Sequence, residues 1–511
     1  MSLFDEALRN FKAPKFRPYQ KEALKDVCEG LESYDYVFLC LPTGVGKTLI
    51  NMAVALSFEK SFYLVTTINL QNQIMNDRYL KGTCYLIKGR EHYQCLSLKE
   101  NTCKFGKCRL DKHYSCPYTC PYKEAKEKAI KSQVCLTTLA YFVSEGFVGK
   151  LGDRDLCVVD EAHNTPDLLL NFVSLSFRFK DNYNTFDDLV VAIEDRYLEL
   201  LDELEMLDEI PNKSEDEIEK LDEVQREIRK IEIFKQNADC EWVHEKHQLK
   251  KGYKYVLKPL RLNRFAKFLL LRRAKKFIFS SATINAELLA DELGIEEYKL
   301  VEYPSYFPVE RRPIYIVPAG KMTKTGGHYN LNIDYVVRIV RKILELNPDY
   351  RGLIHTVSYQ TAKDIYDRLI GTGVEGRLIL HKQKDYEIID KWQETKNGVL
   401  LSPALYEGID LPYDKCRFQV LVKVPYLSLD DVRTRERLKR GDWKWYNGSA
   451  IIRIVQAYGR AVRAFDDYAK FYILDSAFIK LYLRNRAQFP KYFRDAVRVG
   501  VKTNDSFGLQ W

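Results

Sequence analysis

The sequence lacks any long hydrophobic run. Its longest apolar stretches, such as LLLNFV and FLLL, fall far short of the roughly 20 residues that a helix needs to cross a bilayer. The N-terminal stretch MSLFDEALRNFKAPKF is charged and interrupted, so it also lacks the apolar core of a secretory signal. No internal repeat or low-complexity tract is evident. We therefore expect a soluble, cytoplasmic protein that does not act in a membrane.

The composition is that of an ordinary globular chain. Of 511 residues, 46% are hydrophobic and 30% are charged, and this length allows two or three domains with substantial cores. The formal net charge is +9, although the stretch from Asp187 to Glu232 is strongly acidic. The remainder is therefore more basic than the total suggests. This excess of positive charge suits binding to a partner with a phosphate backbone. From charge alone, an ordinary solvated surface explains it equally well.

Twelve cysteines in a large, apparently cytoplasmic chain do not predict disulfides. Seven of them are scattered along the sequence. The other five crowd into one short stretch: Cys95, Cys103, Cys108, Cys116 and Cys120. Crowding of this kind is typical of a metal site.

Short apolar runs alternate with helical stretches along most of the chain. YDYVFLCL, SFYLVTT, DLCVVDEAH and KFIFSSAT each end in a polar cluster, and RGLIHTVS, NGVLLSPAL, FQVLVKVP and AKFYILD continue the scheme. Near-continuous apolar strands predict an α/β fold with parallel sheets that are covered on both faces, and ligands bind at the strand ends. We expect one sheet before about Pro304 and another after it. Two segments interrupt the first sheet, roughly 81–131 with the cysteines and roughly 170–258 with amphipathic helices.

The sequence LPTGVGKT follows an apolar strand and precedes a predicted helix, as a phosphate-binding loop does. Gly44 and Gly46 let backbone amides approach phosphate oxygens, and Lys47 adds charge at the terminal phosphates. The hydroxyl of Thr48 can ligate magnesium. Leu41 stands where the first glycine of the common pattern is expected, which leaves the shorter form PTGxGKT. We predict an ATP site that is formed by Pro42, Thr43, Gly44, Val45, Gly46, Lys47 and Thr48.

The sequence CVVDEAH supplies the carboxylates for hydrolysis. Asp160, at the end of the predicted strand, is placed to hold Mg²⁺ directly or through water, and Glu161 can polarise the attacking water. His163 either couples the nucleotide to other motifs or caps the turn.

The sequence IVQAYGRAVRAFDD offers positive charge for the transition state. Arg460 and Arg463 are three residues apart, so we expect them on one helical face, and Gln456 lies one turn before Arg460. An arginine finger from the second sheet would make hydrolysis depend on domain closure. A basic surface helix is the alternative for this stretch taken by itself.

Taken together, these motifs resemble those of superfamily 2 helicases in order and spacing. RPYQ, from Arg17 to Gln20, looks like the adenine-reading Q motif. TTINLQNQ resembles motif Ia, SSATI resembles motif III, SPALYEGIDLP resembles motif V and QAYGRAVR resembles motif VI. KGREHYQC with the further cysteines, and then CPYKEAKEKA, is similar to the iron–sulfur helicases of the XPD/DinG family.

That resemblance covers nearly the whole chain and implies its domain organisation. It implies a first RecA-like motor domain in three pieces (1–80, 132–169 and 259–304), with an iron–sulfur domain at 81–131 and a helical Arch domain at 170–258 inserted in it. A second RecA-like motor domain would follow at 305–511. The implied activity is ATP-dependent, Mg²⁺-dependent 5′-to-3′ movement on single-stranded DNA and unwinding of forked duplex DNA, by a monomer.

Four thiolates are the usual ligands of a [4Fe–4S] cluster, and here five cysteines compete. Cys95 matches the first cysteine position of the family, with His92 where the family has Asn, and Cys120 matches the cysteine before PY. Between them the predicted ligands are Cys108 and Cys116, with Cys103 as the reserve. Zinc is the rival on spacing alone, since these pairs also suit a tetrahedral site.

Contacts to a nucleic-acid strand are predicted from motif Ia and from a stretch rich in basic and aromatic residues. Thr66, Thr67 and Gln73 could bond phosphates or sugars. RERLKRGDWKWYNGSA interleaves basic side chains with Trp443, Trp445 and Tyr446, which serve equally well as base-stacking surfaces or as core aromatics. Tyr93, near the first cluster cysteine, could lie where a duplex parts.

Three other functions remain open from the sequence, and one of them is a zinc-stabilised nucleic-acid-binding module. An RNA or RNA–DNA hybrid helicase would use the same motor motifs. A nucleotide-gated nucleic-acid clamp would have no need of Glu161 or of the arginine pair.

Overall fold

The computed structural model describes residues 2–146, 151–322, 324–325, 328–329, 333–385, 387–403 and 410–498. Residues 404–409, the central part of the predicted motif V, lie outside that range. The chain divides into two compact units. The first comprises Met1–Cys40, Gly46–Val301 and Leu429–Gly441, and the second comprises Leu41–Val45, Glu302–Ser428 and Asp442–Trp511.

The first half of the chain builds a seven-stranded sheet and a small three-stranded sheet. Its strands are β1 (Tyr36–Cys40), β2 (Ser61–Val65), β3 (Tyr85–Leu86), β4 (Val134–Thr138), β5 (Arg154–Asp160), β6 (Leu175–Phe179), β7 (Trp242–Gln248), β8 (Tyr253–Pro259), β9 (Ala274–Ser281) and β10 (Lys299–Glu302). Its helices are α1 (Leu3–Asn10), α2 (Gln20–Ser33), α3 (Lys47–Ala55), α4 (Ile68–Asn76), α5 (Lys107–Leu110), α6 (Pro121–Lys131), α7 (Leu139–Gly146), α8 (Thr165–Val173), α9 (Phe186–Glu209), α10 (Glu215–Gln236), α11 (Asn263–Leu269) and α12 (Ala286–Leu293).

The second half builds another seven-stranded sheet and a short two-stranded ribbon. Its strands are β11 (Ile314–Gly320), β12 (Lys324–Thr325), β13 (His328–Tyr329), β14 (Gly352–His355), β15 (Leu378–Leu380), β16 (Val399–Ser402), β17 (Phe418–Leu421), β18 (Lys470–Asp475) and β19 (Val497–Arg498). Its helices are α13 (Ile333–Glu345), α14 (Tyr359–Leu369), α15 (Ile388–Glu394), α16 (Val432–Lys439), α17 (Trp443–Tyr458), α18 (Ala477–Arg484) and α19 (Lys491–Ala496).

Both large sheets are parallel, which confirms the predicted α/β fold with two RecA-like sheets. The strand orders are β10-β1-β9-β5-β2-β4-β3 and β15-β16-β14-β17-β18-β11-β19. Strand β9 pairs in parallel with β1 on one side and with β5 on the other. The central strands are buried along nearly their whole length, as their unbroken apolar sequences predict. In the described ranges, no helix has the length and apolar character that crossing a bilayer requires.

The segment around 170–258 contains more than the predicted helices. Helices α9 and α10 pack against each other, and each begins with a capping box, at Thr185 and Ser214. Strands β6, β8 and β7 form an antiparallel sheet. In sequence, β6 precedes α9, and β7 and β8 follow α10. The alternation in YKYVLKP, where Tyr255, Leu257 and Pro259 are buried, was the signal for this sheet.

Helix α16 belongs to the first unit although the chain on both sides of it belongs to the second. A buried ion triad holds it there. Glu292 on α12 accepts a hydrogen bond from Arg433 at 3.0 Å and another from Arg437, and all three side chains are at most 5% exposed. Arg433 also donates to the Pro259 carbonyl. Val432 packs in a small cluster with Val243 and Leu260.

We expect Glu292→Gln to destabilise the first unit by about 3–5 kcal/mol, because it leaves two buried guanidinium groups without their shared carboxylate. The measurement is the first unfolding transition in urea. Glu296→Gln, an exposed carboxylate on the following loop, is the control and should change stability by less than about 0.5 kcal/mol. Equal effects of the two substitutions would contradict the importance of the triad.

Candidate functional site

The polar clusters that follow β1, β5 and β9 lie at one edge of the first sheet. The three strands are neighbours and run in parallel, so their carboxyl ends emerge together. In register, Cys40 at the end of β1 is opposite Ser281, and Asp160 at the end of β5 is opposite Ser280. The phosphate loop, the carboxylates and the SSATI motif are therefore brought to one place.

The phosphate loop has the backbone that its glycines allow. Gly44 and Gly46 have φ angles of 88° and 92°, in the left-handed region that disfavours other residues. Lys47 and Thr48 begin α3, so both side chains lie at a helix N-terminus, where backbone amides favour anions. Of the remaining loop residues, Pro42 and Val45 are buried and Thr43 is partly buried.

The Q motif packs directly against this loop. The Gln20 side chain is fully buried and donates a hydrogen bond to the Gly46 carbonyl at 3.2 Å. It also accepts one from the Arg17 backbone amide at 2.9 Å. A Cβ at Gly46 would lie only 2.5 Å from the Gln20 amide nitrogen. The φ angle therefore favours glycine at 46, and a larger residue would also displace the Gln20 amide from its hydrogen bond.

Asp160 and Glu161 have different surroundings although they are adjacent. Asp160 is 7% exposed, and burial together with the charge of Glu161 raises the pKa of Asp160 to about 6, against the opposing effect of Lys47. The Glu161 backbone is in the left-handed region (φ 51°), and its amide donates to Asp160 at 3.0 Å. This turn directs the Glu161 carboxylate away from the strand, where its side chain is 34% exposed. One carboxylate is thus enclosed beside Lys47 and the other can reach solvent.

Tyr63, on the neighbouring strand β2, is a site residue that the sequence analysis missed. Its fully buried hydroxyl donates to Asp160 at 3.2 Å, and the Thr48 side chain is another hydrogen-bonding neighbour of this hydroxyl. Burial raises the pKa of Tyr63, so the phenol stays neutral and remains a donor. Tyr63 thereby joins the two predicted magnesium ligands. The only signal in the sequence was a tyrosine in the mostly apolar strand SFYLV.

His163 connects the carboxylates to the SSATI motif. Its Nδ1 lies 2.7 Å from the Ser281 hydroxyl, 3.3 Å from that of Thr283 and 3.5 Å from Glu161. The Ser281 hydroxyl in turn donates to Glu161 at 3.4 Å. The His163 side chain is only 6% exposed. Of its two predicted roles, this arrangement favours coupling over capping.

The predicted placement of Arg460 and Arg463 on one helical face is wrong. Helix α17 ends at Tyr458, and the Gly459 amide caps it by donating to the Val455 carbonyl at 3.0 Å. Both arginines therefore lie in the loop beyond the helix, whereas Gln456 is buried within its last turn. Arg463 forms an ion pair with Asp410, at the end of the predicted motif V. The Arg460 carbonyl accepts a hydrogen bond from the Leu411 amide, so motifs V and VI meet in the second unit.

The five clustered cysteines are only partly brought together. The sulfurs of Cys103 and Cys120 are 3.9 Å apart, and a Cβ at Gly106 would lie 3.4 Å from the Cys95 sulfur. Burial and the Cys120 thiol raise the pKa of Cys103 to about 11. In the ranges that the structure covers, no three Cys, His, Asp or Glu side chains converge closely enough to hold a metal ion.

Cys108 and Cys116 differ from each other. Cys108 is exposed, whereas Cys116 lies 3.4 Å from the hydroxyl of Ser97, two residues after Cys95, and this hydrogen bond lowers the pKa of Cys116. The geometry thus associates the reserve residue Cys103, rather than Cys108, with Cys120.

A cavity of about 1150 Å³ lies between motif Ia, the cysteine segment and α10. Thr66 and Thr67 line one side. The cationic residues of its wall are Lys88, Arg90, Lys104, Arg109, Arg226 and Arg229. Arg109 pairs with Asp222 at 2.7 Å and Lys104 pairs with Glu219 at 3.0 Å, so the cysteine segment and α10 are held together across the cavity wall.

Two family models match parts of the chain. The model described as a helicase C-terminal domain matches residues 340–496. The model described as the res subunit of type III restriction enzymes matches residues 13–183. The first covers most of the second parallel sheet, and the second covers the phosphate loop and both carboxylates.

Curated relatives are similar over different lengths. The ATP-dependent DNA helicase YoaA of Escherichia coli (strain K12) is 20% identical, with 91% of this chain and 92% of the relative covered. The probable ATP-dependent helicase MJ0942 of Methanocaldococcus jannaschii is 28% identical over 32% of this chain and 31% of its own length.

Two solved structures share the fold. A structure titled XPD_Helicase superposes with a TM-score of 0.62 at 19% identity and covers 95% of this chain and 100% of its own. The structure of S. tokodaii Xpd4 has a TM-score of 0.56 at 16% identity and covers 94% of this chain and 100% of its own. At these identities the likeness concerns the fold alone.

Proposed function

We propose that this chain is an XPD/DinG-like superfamily 2 DNA helicase that couples ATP hydrolysis to movement along single-stranded DNA, from 5′ to 3′. The observation that carries the proposal is the convergence of Lys47, Thr48, Asp160 and Glu161 at one sheet edge, where Tyr63 links Thr48 to Asp160. A non-hydrolysing clamp has no need of the partly exposed Glu161 beside the enclosed Asp160.

The hydrolytic step uses the chain's own groups in distinct roles. Lys47 and the amides at the start of α3 bind the phosphates, and Arg17 and Gln20 support the base side of the site. Thr48 and Asp160 supply the hard oxygen donors that suit Mg²⁺. When bound, Mg²⁺ would neutralise charge on the β- and γ-phosphates. Glu161 orients and polarises the attacking water, and His163 relays the state of Glu161 to Ser281 and Thr283.

The second unit would supply the remaining positive charge. We assign Arg460 to the transition state when ATP is bound, with Gln456 as a supporting polar group in the preceding helical turn. Arg463, which is paired with Asp410, holds the loop that carries Arg460. Dependence on this second-unit arginine would couple hydrolysis to domain closure and so to movement along the strand.

The cavity beside motif Ia is the proposed path of the strand through the first unit. Thr66 and Thr67 offer hydroxyl and amide groups at one wall, and the six lysine and arginine side chains outnumber the acidic residues Glu91, Glu145 and Asp222. Phosphates bind to such a surface without regard to sequence. The ion pairs between the cysteine segment and α10 would keep this wall closed around the strand.

The cysteine segment is proposed to hold a [4Fe–4S] cluster and to serve in strand separation. Cysteine thiols from one short segment are the donor set that such a cluster uses. The contact of Cys103 with Cys120 and the exposure of Cys108 support Cys103 in place of Cys108, which makes Cys95, Cys103, Cys116 and Cys120 the proposed ligands. Cys120 directly precedes α6, so a ligand there would fix the start of that helix.

Unwinding assays on forked duplexes test the function. We expect unwinding of a duplex with a 5′ single-stranded tail, no unwinding with only a 3′ tail, and a dependence on ATP and Mg²⁺. DNA and RNA tails of equal length are compared in the same assay. Preference for RNA tails, or tight strand binding without unwinding, would favour the RNA helicase or the clamp and would contradict the proposal.

Iron content and colour test the ligand set. After purification without oxygen, we expect wild-type protein to be brown and to contain about four irons per chain. Cys103→Ser should lose colour and iron, whereas the matched control Cys108→Ser should retain both. Loss of iron from the Cys108 variant with retention in the Cys103 variant would restore the set predicted from the sequence. A colourless wild-type protein that contains zinc would overturn the cluster.

A further inference from the structure

Three aromatic side chains meet at the carboxyl end of β17 in the second unit. The rings of Tyr426, after β17, and Tyr446, in the first turns of α17, are stacked with centroids 5.0 Å apart and planes within 9°. Trp443, the first residue of α17, packs edge-on against Tyr446 with centroids 6.3 Å apart. The Tyr446 hydroxyl donates to the Leu427 carbonyl at 3.4 Å, which fixes the ring between the two segments.

The structure separates aromatic residues that the sequence could not distinguish. Trp445 is 6% exposed and belongs to the core, whereas Trp443 is 57% exposed. Tryptophan has a large apolar surface that proteins usually bury for the most part, so the exposure of Trp443 is unusual. Trp443 packs against Tyr446, and the two stacked tyrosines are half-buried. An exposed tryptophan on such a support is a preformed flat surface, and it loses little side-chain freedom when a ring binds to it.

The surroundings favour a nucleobase over another apolar partner. Lys423, Lys444 and Arg453 lie in the same two segments as the three rings, and Arg453 donates to the Pro425 carbonyl next to Tyr426. The carboxyl ends of parallel strands are also where this fold binds its ligands. Basic residues interleaved in sequence with aromatic residues are a pattern by which proteins bind a single strand, through phosphate contacts and base stacking together.

We propose that Trp443, supported by Tyr446 and Tyr426, is a stacking platform for one base of a single-stranded nucleic acid. This inference rests on the proposed function and adds a specific contact in the second unit. Stacking accepts any base, since every base has a π-face, so the platform would grip the strand without reading its sequence.

The test is the affinity of the full chain for a fluorescently labelled oligothymidylate, measured by anisotropy. We expect Trp443→Ala to weaken binding on the order of 5- to 100-fold, and Trp443→Phe to stay within about 3-fold of wild type because it keeps a stacking ring. Tyr350→Ala removes an exposed aromatic residue just before β14, at the amino edge of the same sheet, and should bind as wild type does.

Intrinsic fluorescence gives a readout that a merely structural role would not change. A base stacked on Trp443 quenches its emission, so the oligonucleotide should quench the fluorescence of the wild-type protein more than that of the Trp443→Phe variant. The variant lacks only Trp443 and keeps the other four tryptophans of the chain. Equal affinity of wild type and Trp443→Ala, with equal quenching of wild type and Trp443→Phe, would overturn the platform and leave the proposed function intact. Absence of oligonucleotide binding by wild type would overturn the proposed function itself.

Discussion

The parallel pairing of β9 with both β1 and β5 is the constraint on which the rest of the first unit depends. Parallel strands that lie side by side deliver their carboxyl ends to one edge, so three loops that are far apart in sequence become neighbours. That edge then carries the phosphate loop, the two carboxylates and the SSATI motif. The two inserted segments, 81–131 and 170–258, leave the strand order at this edge unchanged, because neither supplies a strand between β1 and β5.

Burial gives the site its electrostatic character. Asp160 is enclosed by the sheet, and its raised pKa reflects the cost of holding a charge there next to Glu161. Lys47 and the Tyr63 hydroxyl offset part of that cost, and a bound divalent cation would offset more. The protein's own groups compensate the negative charge of Asp160 only in part, so this carboxylate is suited to bind a divalent cation. The buried triad of Glu292 with Arg433 and Arg437 is the opposite case, in which the protein supplies both signs itself and thereby fixes helix α16.

Much of this arrangement could be predicted from local sequence signals. The apolar strands, the glycine loop and the DEAH carboxylates are short-range patterns, and each occurs where it was expected. The role of Tyr63 and the pairing of β6 with β8 could not be predicted in the same way, because each depends on packing between distant segments. The end of α17 before Arg460 depends on the cap that the Gly459 amide forms. The cluster ligands could not be chosen among the five cysteines from spacing, because spacing does not show that the sulfurs of Cys103 and Cys120 lie close together in the fold. The sequence also does not show that Trp443 is exposed and Trp445 is buried, because burial depends on the packing of the folded chain.

The most direct test of the central claim separates ATP binding from ATP hydrolysis at the sheet edge. In the presence of single-stranded DNA, Glu161→Gln should bind ATP about as well as wild type does but hydrolyse it about 100- to 10,000-fold more slowly, the usual contribution of a positioned base. Lys47→Ala should lose both binding and hydrolysis, and Glu59→Gln, at an exposed carboxylate two residues before β2, should change neither. Hydrolysis by Glu161→Gln at the wild-type rate would contradict the assignment of this edge as the motor's catalytic site.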